Sequence, residues 1–299
     1  MIILLTGANG LLGQKLAHLL RAQKHTVRGF QGDIRNAEQV HRQIAGVDLV
    51  VHLAAVLDET DARTMREVNV EGSRNVLDAC EKNRIQRLLL VSTAGVHAKI
   101  QGTVNEQSAM VPETDYEKTK AEAEKLAHSY LETVPLTIVR PALVMGPNVY
   151  WKGIVHLVKK DFPVIGNGKN AFSTISADDA INAIEFLLFH PNAIGETYLV
   201  AGAGAPCLDD IVMEIRSQLG LAPNVRHIPF VVGMLLAIVS LAKTRFTNKK
   251  TMLIPSHIQR LVRNRAYDTQ KIEGLGFVPK DDLKTSVRKM LVELGEIPA

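Results

Sequence analysis

Hydrophobic positions along this 299-residue chain fall into two rhythms that alternate up to about residue 200. Short apolar runs occur at Ile2–Leu5, Asp48–Ala54 (DLVVHLA), Arg87–Ser92 (RLLLVS), Leu136–Arg140 (LTIVR) and Thr197–Val200. Unbroken runs of this length predict strands buried on both faces, as in a parallel sheet. His25–Phe30 (HTVRGF) reads as a further strand. Between the runs the spacing becomes helical: Leu12, Leu16, Leu19 and Leu20 after the first strand, then Ala37–Ala45, Glu67–Asn83, Tyr116–Leu131, Ile154–Lys160 and Ser176–Phe189. Strands alternating with helices predict an α/β fold, a doubly wound parallel sheet.

Two departures modify that picture. A parallel neighbour after His25–Phe30 needs a crossover of about a dozen residues, yet Gln31-Gly32-Asp33-Ile34 leads straight into the next helix. The sheet is therefore expected to lack one outer strand and its helix. From Ala201 onward the alternation stops and helices dominate, predicting a smaller helical substrate domain over the carboxyl ends of the strands. Within it, Ile228–Ala242 (IPFVVGMLLAIVSLA) is apolar all round, which predicts a fully buried or interfacial helix. A core helix or dimer contact is one reading; a substrate lid or membrane-resting helix is the other.

The first strand runs into Gly7, Gly10 and Gly13, and then into a helix. Strand, glycine turn and helix form the context of a dinucleotide-binding loop, where backbone N–H groups and the positive helix end meet a pyrophosphate. The spacing is G-x-x-G-x-x-G, and an ordinary glycine turn is the alternative. Composition narrows the partners. Net charge is +4 with a pI of about 9.0, and the cations are scattered apart from Lys243–Lys250. That favours an anionic cofactor over nucleic acid. Cys80 and Cys207 match no metal-ligand spacing and point to reduced thiols and a cytoplasmic location. The N-terminus lacks a basic region and a cleavage site, and no apolar run reaches the roughly 20 residues of a spanning helix.

Tyr116 and Lys120, four apart on one helix, share a face. A nearby ammonium is expected to lower the phenol pKa and suit it to acid–base work; a solvated surface pair is the alternative. The pair follows the RLLLVST strand end, where Ser92 and Thr93 emerge at the ligand-binding edge of the sheet.

Seven ordered motifs then resemble the extended short-chain dehydrogenase/reductases, the NAD-dependent epimerase/dehydratases. They are TGANGLLG (Thr6–Gly13), HLAA (His52–Ala55), NVEGSRNVL (Asn69–Leu77), VSTAGV (Val91–Val96), YEKTK (Tyr116–Lys120), RPALVMGP (Arg140–Pro147) and SADDA (Ser176–Ala180). The likeness extends through GETYLVAG (Gly195–Gly202) and YDTQKIEGLGF (Tyr267–Phe277). It implies a dinucleotide-binding domain of residues 1–148 and 172–201, and a substrate-binding domain of 149–171 and 202–299. It implies Thr93, Tyr116 and Lys120 as catalytic residues, with Tyr116 the general acid/base and Lys120 on the nicotinamide ribose. His97 stands where the family has a further Tyr and is the alternative proton carrier. Gly7, Asn9, Gly10, Leu11, Leu12 and Gly13 would surround the pyrophosphate. Gln31, Asp33 and Ile34 fall at the adenosine end, Leu53, Ala54, Ala55 and Asn69 along the cleft, and Pro141 and Leu143 beside the nicotinamide. Asn69 also reads as a helix cap. Asp33 serves the ribose, the adenine amino group, or a cap near Asn36.

Gln31 replaces the family's ribose-binding acid, with Arg28 and Arg35 close by. NAD or NADP is implied, with a lean to NADP. Phe172 stands where nucleotide-sugar enzymes carry a diphosphate-binding Arg, which points to the hydroxysteroid dehydrogenase and dihydroflavonol reductase branch. The expected enzyme transfers a hydride to or from a secondary alcohol or ketone of a largely apolar small molecule, as a homodimer. A nucleotide-sugar epimerase or 4-keto-sugar reductase, and a non-catalytic NAD(P)-binding protein, are the alternatives.

Overall fold

The computed structural model describes residues 1–57, 61–100, 102–247 and 255–298, without the side chains of 242–247, 256 and 257. Lys249 and Lys250 lie outside the described residues. In chain order the main elements are β1 (Ile2–Thr6), α1 (Leu11–Ala22), β2 (Thr26–Gly29), α2 (Ala37–Ile44), β3 (Leu49–His52), α3 (Gly72–Asn83), β4 (Arg87–Val91), α4 (Asp115–His128), β5 (Leu136–Pro141), α5 (Val149–Lys159), α6 (Ala177–Phe189), β6 (Thr197–Val200), α7 (Leu208–Gln218), α8 (Phe230–Thr247) and α9 (Leu283–Glu293).

The six strands form one parallel sheet in the order β6-β5-β4-β3-β1-β2. β2 is an edge strand, as the missing crossover predicts. Alternate residues of each apolar run enter two cores. Ile3, Leu5, Val51, Leu89 and Val139 face α1 and α6. Leu4, Val50, Leu88, Leu90 and Ile138 face α2, α3 and α4. Each strand must be apolar on both sides because each side is covered by helices.

The helix preceding α3 is longer than its label. Ala62–Arg66 and the π-turn Glu67–Glu71 run straight into it, and that turn holds Asn69 inside the helix. Asn69 is therefore not a helix cap. A third core, around Trp151, Phe172, Ile215 and Val287, joins α5, α7 and α9. The SADDA segment fastens this region to the sheet: buried Asp179 accepts from the N–H groups of Lys280 and Asp281 at 3.0 and 2.9 Å.

α8 departs from expectation. Its stripe of Gly233, Met234 and Ala237 packs on Ile165, Ile258 and Val262, but most of its apolar residues face outward. The uniform apolar pattern therefore does not mark a helix buried in this chain.

Candidate active site

β1 ends at Thr6, and Gly7 turns with φ +70°. A Cβ at Gly7 would lie 2.7 Å from the Ala54 nitrogen, so the loop runs in backbone contact with the end of β3. A Cβ at Gly13 would lie 2.2 Å from the Gly7 carbonyl oxygen. Gly10 caps α1 without a side-chain bond, and the first turn of α1 holds no acidic residue. An uncapped helix end behind a cradle with no side chains fits an anionic pyrophosphate. Leu11 packs on Gly146, and Asn9 accepts from the Gln14 side chain at 2.8 Å. Leu12, Leu53, Ala54, Ala55 and Leu143 are half-buried along the same edge, and Pro141 is buried at the end of β5.

A buried chain of bonds fixes this edge. The Thr6 hydroxyl accepts from Ala54 N–H at 3.2 Å and meets His52 Nδ1 at 2.7 Å. His52 Nε2 meets the Ser73 hydroxyl at 2.9 Å, which donates to the Asn69 carbonyl. Burial, with the Lys120 charge nearby, lowers the His52 pKa to about 3, so the ring is neutral. The Asn69 amide is engaged with Val56 N–H, the Val56 carbonyl and Thr119 Oγ1 at 2.8–3.1 Å. Asn69 thus ties the loop after β3 to α4.

At the adenosine end Gln31 and Asp33 are exposed, and Ile34 is buried against Gly72. Asp33 does not cap α2. Asn36 does, accepting from Gln39 N–H at 3.1 Å, while Asp33 holds Arg35. Arg35 also meets Glu67 at 3.1 Å.

On α4, a capping box of Thr114 and Glu117 starts the helix immediately before Tyr116. Lys120 is buried, and its Nζ donates to the Val91 carbonyl at 2.7 Å. Burial lowers the Lys120 pKa to about 8, against the raising effect of Glu124. Burial first, then the Glu117 charge, raises Tyr116 to about 12. The expected lowering of the phenol pKa by Lys120 is therefore not what this environment produces: desolvation is the dominant cause and the Glu117 charge adds to it. Thr93 accepts from Gly95 N–H at 3.1 Å, which leaves its own proton to donate. Ser92 donates to Glu124, so its hydroxyl is satisfied behind the site. His97 meets the Ala109 carbonyl at 3.0 Å and Arg140 at 3.1 Å, and burial lowers its pKa. With both ring nitrogens engaged, it is not placed as a proton carrier.

Two features escaped the sequence. Arg140 and Glu124 form a buried pair at 2.6 Å beneath the catalytic helix. Arg265 lies with its guanidinium 5.4 Å from the centre of the Phe172 ring, and its Nε and Nη2 are buried with no hydrogen-bond partner among the described residues. Phe172 is expected to leave this place without the family's diphosphate-binding Arg; a different segment brings the Arg265 guanidinium over the Phe172 ring. Lys169 and Arg226 pair with Asp209 and Asp161. Desolvation raises the Tyr150 pKa against the lowering charges of Arg265 and Arg260, and Arg260 bonds Glu117, the neighbour of Tyr116, at 2.7 Å. Arg265 precedes a two-residue strand, Ala266–Tyr267, too short to leave a periodic signal.

The model of the NAD dependent epimerase/dehydratase family matches residues 3–201. The chain belongs to that family. It is thus an NAD(P)-dependent enzyme of the extended short-chain dehydrogenase/reductase type. One relative in the family is the N-acetyl-alpha-D-glucosaminyl-diphospho-ditrans,octacis-undecaprenol 4-epimerase of Escherichia coli O157:H7, 26% identical over 97% of this chain and 94% of its own. Another is the decarboxylating sterol-4-alpha-carboxylate 3-dehydrogenase of Schizosaccharomyces pombe, 27% identical over 93% and 86%. The fold is shared with the UDP-glucuronic acid 4-epimerase of Bacillus cereus in complex with NAD. That likeness has a TM-score of 0.79 at 21% identity and covers 99% of each chain. A dTDP-glucose 4,6-dehydratase of Streptomyces venezuelae, with NAD bound, gives a TM-score of 0.76 at 22% identity over 99% and 98%.

Proposed function

We propose that this enzyme moves a hydride between NAD and a secondary alcohol or ketone of an amphipathic substrate whose anionic group lies on Arg265. The guanidinium carries the reading. Arg265 is half-buried, and two buried guanidinium nitrogens left without a partner are costly unless an anion joins them. Arg265 lies against Phe172 and near Tyr150, so the ligand it holds meets apolar surface as well. Both relatives cited support the combination, since one is named for a diphospho-undecaprenol sugar and the other for a sterol carboxylate.

Bound across the glycine loop, NAD supplies or accepts the hydride. Tyr116, held protonated by burial, gives its proton to the substrate oxygen during reduction and takes one during oxidation. Thr93 donates a hydrogen bond to that oxygen. Lys120 holds the ribose hydroxyls of the cofactor. Residues 1–148 and 172–201 bind the dinucleotide, and 149–171 and 202–299 form the substrate side. The pairing of Arg35 with Asp33 and Glu67 occupies one of the two cations, Arg28 and Arg35, that favoured NADP. NAD is therefore the preferred cofactor, with discrimination below about a hundredfold, about 2.7 kcal/mol.

A second reading keeps every residue role: oxidation followed by re-reduction on the opposite face, a 4-epimerase with no net NADH. The first relative's name favours it.

Calorimetry on the NADH-loaded enzyme tests the anion site, with farnesyl diphosphate, inorganic pyrophosphate and UDP as probes. Farnesyl diphosphate is expected to bind most tightly. Arg265→Leu should weaken it about 10- to 100-fold, the range of a charge-assisted hydrogen bond. Equal binding by parent and variant contradicts the assignment, and tighter binding of UDP favours a nucleotide-sugar substrate instead.

A further inference from the structure

We propose that α8 is a bilayer-docking element, by which the enzyme rests on an anionic membrane surface without crossing it. Val231, Leu235, Ile238 and Val239 are 66%, 58%, 53% and 53% exposed, and Val232 and Leu236 lie between them on the same outward arc. Isolated exposed apolar residues are ordinary; a contiguous outward arc over more than two helical turns is not. The opposite stripe anchors the helix. A Cβ at Gly233 would lie 2.4 Å from Ile165 Cγ2, so the backbone itself rests on the protein and the arc cannot rotate inward.

Charge selects the occupant. From residue 215 to 267 the sequence contains no Asp or Glu, against nine Lys and Arg. Among the described residues, Arg216 and Arg226 pair with Asp161, Arg260 with Glu117, and Arg263 with Glu113. The sequence places Lys243 and Arg245 on the last turns of α8, with Lys249 and Lys250 just beyond. An apolar face followed by cations is the pattern of a helix lying in the interface of an anionic bilayer. Among the described residues no helix is long and apolar enough to cross a membrane.

The proposal is independent of the catalytic reading, since it is tested without substrate or cofactor. The full chain is co-sedimented with vesicles of phosphatidylcholine alone and with about 30% phosphatidylglycerol. Binding is expected to the anionic vesicles only, and to weaken with salt as surface electrostatics are screened. Leu235→Glu with Leu236→Glu alters two exposed positions and should reduce vesicle binding about tenfold or more, while NADH binding persists and reports an intact fold. Unchanged vesicle binding by the double variant overturns the proposal. So does a parent that ignores anionic vesicles but sediments in velocity runs as a dimer, which the double variant dissociates.

Discussion

His52 has a neutral ring only because its surroundings forbid a charge. It sits between the hydroxyls of Thr6 and Ser73, with burial and the Lys120 charge lowering its pKa from 6.5 to about 3. In the unfolded chain the ring takes up a proton near pH 6.5; in the fold it does so only near pH 3. Its contribution to stability is complete above pH 6.5 and is lost as pH falls through that window. Between pH 6.5 and 5 the loss is about 2 kcal/mol, at about 1.4 kcal/mol per unit. Urea unfolding at the two pH values should show that fall in the parent. His52→Gln, which cannot charge, should flatten it. A variant that keeps the full pH dependence would assign the effect to other groups. HLAA marked this residue by resemblance, yet its partners Thr6 and Ser73 lie 46 and 21 positions away, a juxtaposition only the parallel register creates.

At the scale of elements, the glycine loop and α1 act as one device. The loop has no room for side chains at Gly7 and Gly13, and the helix end behind it has no capping side chain. Gly10 differs, because its Cβ would meet only the Gly7 carbonyl, at 3.3 Å. Gly10→Asp should therefore fold, and its carboxylate should take the place of the phosphate at the helix N-terminus. NADH fluorescence titration is expected to show binding abolished. A variant that titrates like the parent would move the cofactor elsewhere. These elements were legible because each is local: five residues of strand, three glycines and a helical repeat. α8 was half legible. Its composition announced an unusual helix, but an apolar pattern all round carries no information about which side the chain itself covers. Only the contact of Gly233 with Ile165 supplies that.

For the whole molecule, the order of strands and helices was readable because parallel sheets impose it, including the absent outer strand beyond β2. The substrate side was less so. It is assembled from segments far apart in sequence: Arg265 reaches the Phe172 ring from 93 residues later, a contact that the Phe172 position alone does not announce. Sequence spacing also misjudged Tyr116, whose environment is set by burial rather than by Lys120. Burial thus holds the phenol protonated at neutral pH.

Stopped-flow oxidation of NADH tests the central claim, that the phenol proton of Tyr116 drives hydride transfer at the end of this sheet. Apolar ketones bearing a carboxylate or phosphate are the substrates, with parent and Tyr116→Phe compared side by side. The parent should turn over, and the variant should bind NADH equally but react about 10²–10⁴-fold more slowly, the usual contribution of a general acid. A variant that retains more than a tenth of the parental rate would contradict the account.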